Sequence, residues 1–430
     1  MSTKDVLPTP PPEPPSATPR EETDRRPSRF AIFPAFQLPA YRRYLLSFGA
    51  ANFGLQNQEV VRAWVAYNLH GSAADSGLVI LLSAVGQAIG APLGGVVADR
   101  FDRKRIIITM QAILLIVSAL AGILVILDVI QLWHLMMLSF VTGIAGSMHM
   151  PARQSLIYNI VGPKYIANAA AMSNGLMSMM RLIGPAVAGL LIAVAGDGPA
   201  YFSSVAAFVI SMVTLRIVTE SHTPRITPTR ESPLRSLVEG AKYIYRRRPL
   251  FWLYVLSAGV IMMGAPFREN MSPFAIEELE GGPGTYGNLL SLLGLGALGG
   301  SVILAATSGS KNKGSMLIIS GLVWGAMILV FSQVPSLPVA VPVLLILGSA
   351  QAISFTILSI VIQGTVDDAY RGRLLSFHLL SFSAAGFTGL AIGHVVDWAG
   401  VRTTFLGMGV VIVTFVLFMA LWRKDIRRLG

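Results

Sequence analysis

The twelve residues GGVVADRFDRKR, Gly94 to Arg105, join two apolar runs at approximately 75–98 and 105–127. Each run is about 20 residues long, enough to cross a hydrocarbon core at the helical rise per residue. Between them the character changes abruptly, with Arg100, Arg103, Lys104 and Arg105 standing beside Asp99 and Asp102. Gly94 and Gly95 remove side-chain bulk where the first run ends, so a second helix backbone can come close. Asp99 is suited to bond a facing helix N-terminus or an arginine and so to close that end of a bundle. Arg103, Lys104 and Arg105 suit anionic lipid and carboxylates. The stretch reads as a charged elbow between two membrane-crossing helices.

The same apolar period recurs outward from this elbow. Spans are expected near 43–68, 75–98, 105–127, 131–151, 167–195, 199–218, 250–270, 285–307, 315–333, 337–361, 373–397 and 401–422. The runs are continuous rather than alternating, which favours helices over barrel strands. Across 430 residues, 53% hydrophobic content, 13% charged residues and a mean hydropathy of +0.63 set the chain apart from soluble proteins, where about a quarter of residues are charged. Lysine and arginine concentrate in the tails and in the even-to-odd loops, with only Arg268 and Arg402 on the other face. By the positive-inside rule both termini are then cytoplasmic.

The net charge of +11 does not point to nucleic acid, because the basic residues occupy short loops rather than a water-exposed domain. Cysteine is absent, which removes disulfides and thiolate metal sites. The histidines lack ligand spacing with carboxylates, so no metal site is expected. There is no nucleotide-binding loop and no catalytic cluster, so neither ATP-driven transport nor enzymatic chemistry is expected, and no cofactor.

The expected organisation is a proline-rich disordered cytoplasmic tail over 1–36, a six-helix bundle over 37–218, a cytoplasmic linker over 219–249, a second bundle over 250–422 and a basic tail over 423–430. In the linker Leu234, Leu237, Val238, Ala241, Ile244 and Tyr245 repeat at helical spacing beside basic residues, as in an amphipathic helix on an anionic leaflet. The two halves echo each other. The run from Gly90 to Gly95 returns as Gly296 to Gly300, about 205 residues later, as parallel repeats of alternating-access transporters would have it.

Ionisable groups inside the spans are few, and their cost in a bilayer makes each a candidate for function. Span 1 carries Asn52, Gln56 and Glu59 on one helical face, with Arg62 a further turn along. Two readings stand for Glu59: a proton-titrating carboxylate in a cavity, or a fixed structural pair with Arg62. Span 5 carries Asn174, Ser178 and Arg181 at spacings of four and three. Arg181 suits an anionic substrate group, a nearby proton site or facing carbonyls. Span 11 offers His378, and Arg268 with Glu269 ends span 7 as outer-gate or interface pairs.

Gly95, Ala98, Asp99, Arg100, Arg103, Lys104 and Arg105 resemble the loop between the second and third helices of the major facilitator superfamily, with Asp102 in place of the usual glycine. The segments Met150 to Val161, Arg181 to Leu191 and Glu239 to Pro249 look like the branch of enterobactin exporters and macrolide-type drug:proton antiporters. Gly184, Pro185 and Gly189 are similar to the antiporter motif of the fifth helix, with Ala188 replacing one expected glycine; a kink and packing site is the alternative. The resemblance implies an all-α fold of twelve transmembrane helices in two pseudo-symmetric six-helix bundles, with helices 1, 4, 7 and 10 around a central cavity. It also implies a conformational latch at Gly94, Gly95, Asp99, Arg100, Arg103 and Lys104. The expected activity is proton-driven export of a small amphipathic molecule across the bacterial inner membrane, by a monomer in contact with membrane lipids. Lipid flipping without ion coupling is the second reading, and a non-transporting sensor lacks the folded output domain it would need.

Overall fold

A computed structural model describes residues 34–219, 233–307, 312–366 and 368–423. Within these, 95–96, 98–100, 233–238, 305, 363–365, 368–369, 371–373 and 375–383 are described by their backbone. The helices are α1 Pro39–His70, α2 Ala73–Arg100, α3 Arg103–Ile126, α4 Leu132–Ala195, α5 Asp197–Arg216, α6 Pro233–Arg246, α7 Arg248–Gly264, α8 Pro266–Glu269, α9 Met271–Pro273, α10 Pro283–Ala306, α11 Lys313–Phe331, α12 Leu337–Thr365, α13 Asp368–Ala399 and α14 Val401–Trp422. Among the described residues nine helices are long and apolar enough to cross a membrane. The 64-residue α4 crosses twice, and α1 and α13, at 32 residues each, bring the membrane-length segments to twelve. The chain is a multi-pass membrane protein.

Helices α1 to α5 pack on one another as the first half, and α7 with α10 to α14 as the second. The fold begins earlier than residue 37. Pro34–Gln37 forms a helical turn whose Ala35 is fully buried and donates from its backbone N–H to Asn168 Oδ1 at 3.3 Å. The remainder of the expected N-terminal tail, the tail after residue 423 and the central linker up to residue 232 lie outside the described residues.

Two departures from the expected spans have local causes. The segment 152–161 falls between the expected spans 131–151 and 167–195, but it continues the α4 helix. Ala152, Leu156, Ile157, Ile160 and Val161 recur at helical spacing and are all buried, and that burial outweighs the backbone hydrogen bond that Pro151 forgoes. The turn comes at Gly162, whose φ of 69° is open to glycine, followed by Pro163. Span 7 in turn runs beyond residue 270. Pro266 and Pro273 break it into α7, α8 and α9, and a π-turn at Phe274–Glu278 completes it. Phe267 and Phe274 anchor this irregular stretch against Phe331 of α11 and Phe405 of α14, with ring centroids 4.5 to 5.6 Å apart. Helix α6 packs against α13 and α7, with Tyr243 stacked on Tyr370 at 4.5 Å and Ile244 buried.

Glycines govern how closely the helices meet, and they do so twice over. Gly90 and Gly94 of α2 lie on Ile144 and Met148 of α4, while Gly296 and Gly300 of α10 lie on Leu345 and Ser349 of α12. The sequence echo is therefore a repeated packing device. Between the halves, α2 meets α13 and α4 meets α10. A Cβ on Gly77 would come 2.8 Å from Leu390 Cα, and one on Gly189 would come 2.8 Å from Gly287 Cα and 2.7 Å from the Pro283 carbonyl. Because the neighbours at Gly189 are backbone, they have no rotamer by which to yield. Gly189→Val is expected to cost about 1–3 kcal/mol of packing energy, read as a lower apparent Tm in detergent. An unchanged Tm would mean that this contact between halves is dispensable.

Candidate transport site

Charged side chains from both halves converge where α1 faces α8 and α10. Arg268 of α8 donates from Nη1 to Glu59 Oε1 at 2.8 Å and from Nη2 to Gln56 Oε1 at 3.3 Å. Glu59 and Gln56 are three residues apart on α1 and present one face, so a single guanidinium reaches both. Proline breaks on either side of α8 put Arg268 and Glu269 on a short, irregular segment that faces the other half. A cavity with about 20 Å³ of water-sized space opens beside the pair, lined by Arg62, Ala63, Val79, Glu269, Tyr286 and Leu290 among others. That space is on the scale of a single water molecule.

The expected Glu59–Arg62 pair does not form. Glu59 is bonded to the other half of the molecule, whereas Arg62, three residues on, is buried toward Tyr201 of α5. Three residues rotate a helical side chain by about 60° from its starting direction, enough to send the two groups to different partners. Arg62 remains within Coulombic reach of Glu59, but its Nη1 makes no hydrogen bond among the described residues. Glu269, next to Arg268, has Oε2 buried and unbonded, close enough to Gly389 of α13 that a Cβ there would lie 2.7 Å away. Tyr286 of α10 is buried and stacks on Trp64 of α1 at 5.9 Å.

The other expected residues separate into distinct roles. Asn52 donates to the Phe48 carbonyl of its own helix at 2.8 Å and is buried. Asn174 and Arg181 are both exposed on the second limb of α4, and Arg181 lies within Coulombic reach of Arg268 and Glu59. Gly184 lies against Gln56 of α1, and Gly189 against Gly287 of α10. Backbone angles around Pro185 stay helical, the break in α4 being at Gly162. Gly189 and the Pro185 carbonyl thus pack at the interface between halves, while Gly184 packs within the first half. The His378 side chain lies outside the described residues.

At the elbow, Gly95 is described by its backbone alone, and the side chains of Asp99 and Arg100 likewise lie outside the described residues. Gly94 abuts Met148 as a close-packing position. Arg103 donates to Asn159 Oδ1 at 2.7 Å, and Lys104 to the Arg216 and Val218 carbonyls at 2.7 and 2.9 Å. Their protein partners are thus an amide and backbone carbonyls rather than carboxylates. Lys104 answers the exposed carbonyls at the end of α5, and both residues fasten the elbow within one half. Asp102, where glycine is usual, caps α3 by accepting from the Arg105 N–H at 2.8 Å.

The opposite end of the bundle carries a clasp that the sequence reading missed. Asp397, near the end of α13, accepts from Ser72 Oγ at 2.8 Å and from the Ala73 and Ala74 N–H groups at 2.6 and 3.1 Å. A carboxylate of one half caps the first helical turn of the other, where unpaired N–H groups and the helix dipole favour it. Tyr67 adds a hydrogen bond to Glu277 Oε1 at 2.5 Å across the same boundary. A signal was present: GHVVD at Gly393 to Asp397 repeats the GGVVAD of Gly94 to Asp99.

With the geometry in place, comparison with known proteins decides the kinship. Residues 31–427 match the family described as transmembrane secretion effector. The chain belongs to this family of the major facilitator superfamily. It is similar to the MFS-type transporter YfiS of Bacillus subtilis, at 25% identity over 84% of this chain and 87% of that one. It is also similar to the multidrug efflux pump Tap of Mycolicibacterium fortuitum, at 21% identity over 85% and 91%. Among solved structures, an inward-facing, unoccupied bacterial homologue of the human lysosomal transporter Spinster shares the fold. There the TM-score is 0.69 with 15% identity, covering 91% of this chain and 98% of that one. The twelve-helix, two-bundle architecture of the superfamily is the one described above, and the chain is a transporter.

The clasp is open to a direct test, because a chain without cysteine accepts spin labels at chosen sites. With labels at His70→Cys and Thr403→Cys, Asp397→Ala should raise the long-distance population severalfold, as loss of a cap worth about 0.5–2 kcal/mol implies. An unaltered distance distribution would remove Asp397 from control of this end.

Proposed function

We propose that the chain is a secondary active exporter of small amphipathic organic molecules, driven by the proton gradient. Its place would be a bacterial inner membrane with both termini cytoplasmic. The observation that carries this reading is the Arg268–Glu59 pair, which links the two halves and leaves Glu269 Oε2 beside it buried without a hydrogen bond. A charge in a bilayer costs several kcal/mol unless it is answered, so the state of these carboxylates bears on whether the halves stay together. Protonation of Glu59 removes the partner of Arg268 and with it the ionic link at this point. The name of the efflux relative supports the outward direction, and the placement of lysine and arginine supports the orientation. In that orientation the Asp397 clasp lies on the outer face, and the structure is closed there.

The energy scale is adequate. One pH unit corresponds to about 1.4 kcal/mol, and 100 mV to about 2.3 kcal/mol per charge moved. In proteoliposomes loaded with fluorescent amphipathic dyes, an imposed proton gradient should accelerate dye movement at least tenfold. Glu59→Gln should abolish that acceleration while residual facilitated movement continues. Movement indifferent to the gradient in the unaltered protein would refute the coupling.

A further inference from the structure

The charges around the central space do not balance. Arg62, Arg181 and Arg268 face Glu59 and Glu269, and Glu59 is taken by Arg268. No aspartate or glutamate occurs anywhere in α4, which carries Arg181, or in α10, which packs on it. The Arg181 carbonyl lies against Gly294 of α10, where a Cβ would come within 2.8 Å. This arginine therefore sits at the boundary between the halves, not on the lipid-facing perimeter. Its side chain is nonetheless exposed, within Coulombic reach of Glu59 and Arg268, and makes no hydrogen bond or ion pair among the described residues. Arginine stays charged at any relevant pH and presents a planar fork that matches an oxyanion.

The wall on which Arg181 stands is amphipathic. Asn174 and Gly175 are exposed on the same limb, and a Cβ on Gly175 would meet nothing within 4 Å. Met177, four residues before Arg181 and so on its side of the helix, is partly exposed. Methionine offers an adaptable apolar surface to bodies of varied shape.

We infer that Arg181 anchors an anionic group of the transported molecule, a carboxylate, phosphate or sulfonate, whose apolar body lies along the helix face that carries Met177. The inference deepens the export reading and rests on it for the word transported. The same geometry supplies a release step. Glu59 and Arg181 belong to one half and Arg268 to the other, so separation of the halves withdraws Arg268 and leaves Glu59 free to pair with Arg181. The carboxylate then competes with the bound anion and displaces it.

The test uses the full chain in phosphatidylcholine nanodiscs, with matched probes on naphthyl, pyrenyl and dodecyl bodies that end in a sulfonate, a neutral sulfonamide or an ammonium. Equilibrium binding should favour the sulfonate over the sulfonamide at least tenfold on one or more bodies. Arg181→Gln should erase that preference, Arg181→Lys should retain most of it, and Glu59→Gln should tighten sulfonate binding severalfold. Should Arg181→Gln fail to fold, the Lys variant and the Glu59→Gln tightening still decide the matter. Equal affinity for sulfonate and sulfonamide on all three bodies, or a preference unchanged by Arg181→Gln, would overturn the inference. Nanodiscs containing phosphatidylglycerol separate the sources of the anion: competition by that lipid makes a headgroup the occupant, and its absence makes it a free organic anion. Sulfonate preference with flux indifferent to a proton gradient would sink the coupling and keep the anchor. Gradient-driven flux of the ammonium probes without sulfonate preference would do the reverse.

Discussion

A guanidinium and a carboxylate that belong to different halves of a membrane protein tie those halves together for as long as both keep their charge and their contact. Arg268 and Glu59 are in this position. The contact that satisfies both is one that alternating access must remake. Around it the fold supplies the conditions: proline breaks on both sides of α8 that bring Arg268 inward, an aromatic cluster that holds that irregular stretch, and glycine-lined helix pairs that let the halves come close enough for the pair to form.

The closed end is secured by separate physics. Asp397 and Tyr67 make hydrogen bonds across the boundary at the α1–α2 turn, where a helix N-terminus has unpaired donors to offer. The elbow at the other end of α2 carries the related sequence, with Asp99 after two valines and an alanine as Asp397 follows two valines. Helix α13 ends near a carboxylate that caps the start of the facing α2, and the shared sequence at the end of α2 is the counterpart that closure at the other end would call on.

Much of the architecture was legible from hydropathy, from the placement of lysine and arginine and from the two glycine runs, because membrane insertion leaves few alternatives for a continuous apolar stretch. Arg153 shows where that legibility fails. The expected spans leave Arg153 between helices, yet it is 1% exposed in a continuous helix, lying over the Phe48 ring at 5.4 Å and donating to Ser211 Oγ at 3.4 Å. Pattern along one helix cannot reveal a partner on another. The site divides in the same way: the polar face of α1 could be read from spacing, but Arg268 lies 209 residues from Glu59 in sequence. Helical periodicity therefore offered Arg62 as the nearest partner. Tyr286 and Asp397 were missed because each acts through a helix that only the fold brings alongside.

The most direct measurement is a double-mutant cycle on the central pair, with gradient-driven flux as the readout for Glu59→Gln, Arg268→Gln and the two together. If the pair acts as one unit, the double variant retains about as much flux as the weaker single variant, a large departure from additivity. Losses that multiply, each residue acting independently of the other, would contradict a transport cycle built on this contact.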